Sequence, residues 1–263
     1  MVDFIRSDSE DRKKIIRTTL YEDQEFSLWE LEILHTSVLQ RLYDLKQLGF
    51  ADRVFPDAVH SRFNHILGVA EVVERMAGKL AKWLCKNSQV RFTYAADRHS
   101  PTEEKSTIQI TGSELADLLQ DRIPSLRLMA LLHDIAHAAF GHTLEDEVRV
   151  FEEKHDDPPR QLRFFNGLVG QMFYTWCVEA RIQVPDNTTI NRLNQLSCTT
   201  EEFRDWVEEF ADSLTQDERL MLAKRLRHLE IALRLLLRIE FVHHSEARIL
   251  PAPEPLFVSD GVF

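Results

Sequence analysis

The sequence predicts an all-α fold, a helical bundle with one polar insertion, and three observations predict it. Glycine and proline are scarce, 8 and 9 in 263 residues, so few positions favour tight turns. Apolar residues recur at helical spacing, as at Val38, Leu39, Leu42, Leu45 and Leu48. Start signals of the Ser/Thr-x-x-Glu kind stand ahead of the periodic stretches, at Ser27/Glu30, Thr199/Glu202 and Thr215/Glu218. A single helical domain spanning 1–263 is expected.

In chain order, residues 1–26 are charged and weakly periodic, with one short helix expected over 10–20. Residues 26–34 read as a helix behind the Ser27/Glu30 box or, because they also alternate, as an extended piece. The spacing predicts a helix over 37–48 stopped by Gly49, a loop containing Pro56, then a long amphipathic helix over 62–86 with His65 in its first turn. Residues 87–112 form the polar insertion, with room for a small hairpin from 90–94 and 107–110. Ser113 begins a helix to Leu119, and Pro124 with Ser125 opens the next one. Phe140 and Gly141 break it, and Thr143 restarts a helix through Lys154 that Asp157, Pro158 and Pro159 end. The C-terminal part, 161–250, carries expected helices over 161–181, 201–214 and 216–244, and an apolar tail, 251–263, lies along another surface.

Composition excludes some functions. Apolar residues are 44% and charged residues 29%, as in soluble globular proteins, and 30.7 kDa allows a sizeable core. The net charge of -11 disfavours nucleic-acid or anionic-membrane binding through overall charge, while leaving room for a local basic pocket. Cys85, Cys177 and Cys198 fit neither a zinc pattern nor a disulfide framework, so a reducing, cytoplasmic setting is expected. No signal peptide and no apolar run of ~18 residues stand out, so no membrane partner is expected. Glycine-rich phosphate loops are missing, which leaves phosphate chemistry to a metal and side chains.

The candidate site is 131–142, LLHDIAHAAFGH, which sets His133, Asp134, His137 and His142 among Leu, Ile, Ala and Phe. A buried polar group without a partner costs ~1–3 kcal/mol, so four together favour a site over core histidines satisfied one by one. On a helix His133 and His137 would share a face, with Asp134 about 100° round. Imidazole nitrogen with carboxylate oxygen suits Mn, Fe, Zn or Ni rather than calcium.

His65 together with His133–Asp134 resembles the H…HD core of the HD-domain metal-dependent phosphohydrolases. The text RLYDLKQLGFADRVFPDAVHSRFNHILGV (41–69) and LLHDIAHAAFGHTLEDE (131–147) is similar to the deoxynucleoside triphosphate triphosphohydrolase branch, which includes SAM-and-HD-domain enzymes and bacterial dGTPases. The resemblance covers 37–160.

It implies an enzyme that turns a dNTP into a deoxynucleoside and triphosphate, using a divalent transition metal (Mn, Fe, Zn or Ni) or Mg. By position, His65, His133 and Asp134 are implied as metal ligands, and His137, His142, Glu145 and His155 as catalytic. Arg62 is implied at phosphate, and Gln47 with Leu48 near the sugar. His155 also reads as an exposed loop histidine, and Gln47 and Leu48 as a packed helix end. The family's distal aspartate, in a DADR-x-DY type segment, has no match here. VSDGVF resembles the approach to that motif, so the sequence is expected to stop just short of it. Asp260 is the nearest substitute ligand, with Asp205 and Asp212 behind it. Expected partners are a nucleotide and further copies of the chain. Two alternatives stay open: a nucleotide- or metal-sensing module with an incomplete metal site, and a phosphohydrolase of monophosphates or cyclic nucleotides.

Overall fold

In the computed structural model, which describes residues 12–18, 21–95, 107–179, 208 and 210–237, the chain opens on a hairpin, not on the short helix expected over 10–20. β1 (Lys13–Thr18) and β2 (Glu22–Ser27) are antiparallel, with Lys13 opposite Ser27 and Thr18 opposite Glu22. Charges pair across the outer face, Lys13 with Glu25 at 3.0 Å and Arg17 with Asp23 at 2.6 Å, while Gln24 and Phe26 turn inward. A strand pair with mostly charged residues outside carries little apolar periodicity, which is why the pattern misled.

α1 (Leu28–Leu34) settles the ambiguous stretch as a helix, with Ser27 and Glu30 forming both halves of the capping box. α2 (Ser37–Gln40) tightens into a 3-10 turn at Arg41–Tyr43 and stops, well short of 48. Leu39 and Leu42 are fully buried as the periodicity predicts, but the backbone beyond them finds partners elsewhere. Arg62 N donates to Leu45 O at 2.7 Å and Gln47 N to His60 O at 3.0 Å, tying this segment to the start of the next helix.

α3 (Arg62–Lys86) starts where expected, capped by the Ser61 hydroxyl, which accepts from Asn64 N. The insertion does fold as a hairpin, β3 (Arg91–Ala95) antiparallel to β4 (Thr107–Thr111). One helix then replaces the two expected: α4 (Gly112–Leu132) is capped by Thr111 with Glu114, not by Ser113, and passes through Pro124. Proline deletes one helical hydrogen bond, and packing overrides that loss, because Ser125, Arg127, Leu128, Leu131 and Leu132 after it are all buried. α3 lies along α4.

Thr143–Glu147 makes a single wide π-type turn, and the expected helix to 154 does not continue. Arg149 has φ 55°, outside helical backbone. Pro158 and Pro159 open α5 (Pro158–Glu179) instead of ending a helix, because the first helical turn needs no proline N–H. α6 (Gln216–Leu236) starts at the Thr215/Glu218 box. Residues 201–207, 238–244 and the tail 251–263 lie outside the described residues.

The core joins these layers through side chains such as Trp29, Leu39, Ile66, Leu131, Trp176 and Leu229. Arg127 crosses it, donating Nε to Glu30 at 2.6 Å and Nη2 to Glu25 O at 3.1 Å and also pairing with Glu74, so that β2, α1, α3 and α4 share one buried cation. Among the described residues, no helix is long and apolar enough to cross a membrane.

Candidate metal centre

Two elements meet at the centre. The Ser61 cap sets Arg62 and His65 in the first turn of α3, and α4 ends at Leu132 so that His133 is its C-cap. His133 Nδ1 lies 2.7 Å from Ala130 O. A carbonyl only accepts, so Nδ1 carries the proton and Nε2 presents a lone pair. That Nε2 lies 3.2 Å from His65 Nε2 and 3.3 Å from Asp134 Oδ1, and His65 Nε2 lies 3.9 Å from Asp134 Oδ2.

These distances test whether the residues fit an ion. Ligands at about 2.0–2.2 Å from a common metal stand roughly 3–3.5 Å apart, and the donor atoms of His65, His133 and Asp134 all lie within 4.8 Å of one another. Two imidazoles and a carboxylate are a transition-metal set. Burial lowers the His65 pKa against the pull of Asp134, with His133, Arg62 and His60 adding to the lowering, and metal binding requires the neutral ring. The set fits.

Arg62 is 2% exposed and donates Nη1 to Asp134 Oδ2 at 2.8 Å, orienting the carboxylate. Gly141, at φ 38°, lies against that guanidinium: a Cβ there would come within 2.5 Å of Arg62 Nη2 and 3.4 Å of His137 Nδ1. Only glycine fits both the backbone and the space.

His137 does not share a helix face with His133, because α4 has already ended; a turn, His137 N to Asp134 O at 3.1 Å, brings it in. Its Nε2 is 3.4 Å from Asp134 Oδ1, and its Nδ1 is buried with no hydrogen-bond partner among the described residues. Burial first, then Arg62, His155, His142 and His133, push its pKa down to about 2. The His155 ring stacks on it at 3.5 Å, and His142, which is exposed, stands edge-on to both at 5.2 and 5.0 Å. His155 Nδ1 donates to Glu145 Oε2 at 2.6 Å, and Arg160 pairs with the other oxygen at 3.1 Å. His155 is therefore half-buried and oriented by a carboxylate, not an exposed loop residue.

Gln47 and Leu48 do not end a packed helix. Leu48 is exposed, and Gln47 Oε1 is buried without a hydrogen-bond partner among the described residues. Their loop reaches the site through Phe50, which stacks on Phe140 at 4.4 Å, between His137 and His142. Asp212 is exposed and pairs with Arg219 at 3.2 Å, away from the ligand set; Asp205 and Asp260 lie outside the described residues. The sequence reading missed Arg41, whose guanidinium takes the carbonyls of Ile135 and His137, and Arg160. Nothing local marks which carbonyl or carboxylate a distant arginine will reach.

A helical scaffold with a His/His-Asp centre of this kind defines an HD-type domain, and residues 62–162 match the family model described as the HD domain; the chain carries an HD domain. Among curated proteins it is similar to an uncharacterised protein of Methanocaldococcus jannaschii, 31% identical over 50% of this chain and 21% of the relative. It is similar also to the deoxynucleoside triphosphate triphosphohydrolase SAMHD1 homolog of Dictyostelium discoideum, 31% identical over 53% of this chain and 22% of the relative. A third, the uncharacterised YwfO of Bacillus subtilis, is 32% identical over 55% of this chain and 25% of the relative. The chain thus spans about a fifth to a quarter of the length of these relatives.

Proposed function

We propose that the chain is a metal-dependent phosphohydrolase of nucleotides, converting a deoxynucleoside triphosphate to deoxynucleoside and triphosphate. The observation that carries the reading is the meeting, at Asp134, of a metal-ligand set with a second cluster of three histidines. A divalent ion held by His65, His133 and Asp134 would supply a water of lowered pKa and positive charge toward phosphate oxygens. Arg62, expected at phosphate, is instead buried and donates to Asp134, so its part is to orient that carboxylate and add positive charge beside the ion. His137, held neutral by burial, keeps a buried Nδ1 with no hydrogen-bond partner among the described residues, which can accept a hydrogen bond from substrate or water. Glu145 and Arg160 fix the His155 ring, and exposed His142 connects the cluster to solvent. The name of the Dictyostelium relative, a deoxynucleoside triphosphate triphosphohydrolase homolog, and the Phe50–Phe140 contact, which carries the Gln47–Leu48 loop to the site, support the deoxynucleotide assignment.

The test is turnover by the purified, Mn²⁺-loaded protein of mixed dNTPs and rNTPs, with free tripolyphosphate as the product detected. Equal turnover of ATP and dATP would reject the deoxy preference. Hydrolysis of monophosphates or cyclic nucleotides alone would reassign the substrate. Tight nucleotide binding without any product would favour the sensing module, a reading supported by the convergence of only three ligands among the described residues.

A further inference from the structure

We infer that Arg41 is a positioning residue that clamps the turn carrying Asp134 and His137, holding the metal ligands and the histidine cluster in one register. The inference rests on the proposed function for its activity readout but not for its geometry. Arg41 stands on the 3-10 turn after α2, far in sequence from the site. Its Nη1 donates to His137 O at 2.6 Å and its Nη2 to Ile135 O. Both carbonyls lie in the irregular turn that follows α4, where no helix or sheet ladder supplies their partners.

Arg41 Cζ lies over the face of the Phe164 ring on α5, 4.5 Å from its centroid. Two hydrogen bonds and one aromatic face hold the group in place, while its Nε finds no hydrogen-bond partner among the described residues. Its position is otherwise unfavourable. Burial, with Arg160 and Arg62 nearby, pushes its pKa down to about 10, and no carboxylate pairs with it among the described residues. A charge kept there is explained by the two carbonyls it binds.

What those carbonyls control is the path from Asp134 to His137. Asp134 Oδ1 stands 3.3 Å from His133 and 3.4 Å from His137, so a small rotation of this turn separates the two histidine groups. Arg41 touches neither donor set, which separates its role from that of a catalytic residue.

The experiment compares Arg41→Ala, Arg41→Gln and Arg41→Lys with Arg227→Ala, an exposed control on α6. Mn²⁺ affinity is read by the free-ion EPR signal, folding by thermal melting, and turnover as separate kcat and KM. The expected result for Arg41→Ala is Mn²⁺ affinity weaker by about tenfold and kcat lower by about 10–100-fold, with KM within about twofold, because orienting groups around a metal act on this scale. Millimolar guanidinium is expected to recover part of both losses, and Arg41→Lys, reaching one carbonyl, to fall between. Unchanged Mn²⁺ affinity and kcat in Arg41→Ala overturn the inference. Losses that track melting alone, with no recovery by guanidinium, also overturn it. If Arg41→Ala does not fold, the ranking of Arg41→Lys above Arg41→Gln in Mn²⁺ affinity at equal melting temperature decides instead. A wild-type protein that binds Mn²⁺ but turns over no nucleotide defeats the proposed function, and the Mn²⁺ affinities still decide the clamp.

Discussion

His137 is 1% exposed and its pKa is pushed down to about 2, so the ring is neutral at every physiological pH and serves as a hydrogen-bonding group, one nitrogen donating and the other accepting. Replacing it should remove chemistry without removing the ion, since its ring stands beside Asp134 and not among the three nearest ligands. His137→Ala is expected to lower kcat by about 100-fold, the scale of a lost substrate-positioning contact, with Mn²⁺ stoichiometry by metal analysis unchanged. Gly141→Ala tests the neighbouring contact. The new Cβ would sit 2.5 Å from Arg62 Nη2 on a left-handed backbone, so a loss of about 1–3 kcal/mol is expected in urea unfolding, together with weaker Mn²⁺ binding as Arg62 is pushed off Asp134. At this scale the sequence was informative where chemistry follows from residue type in a compact motif: His65, His133 and Asp134 come together, as do His137, His142 and His155. It was silent on Arg41 and Arg160, whose partners are backbone atoms or carboxylates chosen by the fold.

Among elements, the contact of α4 with α6 includes a titrating pair, Ser125 Oγ to His228 Nδ1 at 2.9 Å. Burial pushes the His228 pKa down to about 4, with Arg122, Lys224 and Arg227 adding to the effect and Asp121 opposing it. The unfolded ring takes its proton near pH 6.5 and the folded one only near pH 4, so stability is full above pH 6.5 and falls across that window. The expected loss between pH 6.5 and 5 is about 2 kcal/mol. Urea unfolding at the two pH values should show a shallower dependence in His228→Gln; an identical dependence would remove His228 as its source. Element boundaries explain where periodicity failed. Pro124 is a weak marker inside a helix whose next turns are buried, and Pro158–Pro159 mark a start as readily as a stop. The segment after Leu42 left its helix because the start of α3 offered better backbone partners.

For the molecule as a whole, an ion held by His65, His133 and Asp134 would act as a tie between α3, which carries His65, and the end of α4, which carries the other two. An ion that binds only the folded chain adds about 2.7 kcal/mol at a hundred times its Kd. Removal by chelator is therefore expected to lower the melting temperature by about 5–10 °C in a chain of this size, and His65→Ala to abolish that difference. The all-α class was legible from scarce glycine and proline and from the caps, and the insertion's hairpin from its two short apolar runs, while the charged β1–β2 hairpin gave no such signal.

The length of α3 has its own consequence. From His65 to Lys86 the helix rises about 30 Å, so the β3–β4 hairpin begins a whole domain's breadth from the ion. Chemistry and insertion occupy opposite ends of one rod. Sequence can be lengthened, shortened or exchanged at the hairpin end, and an affinity tag or a fluorophore carried there, while the histidine end keeps its geometry.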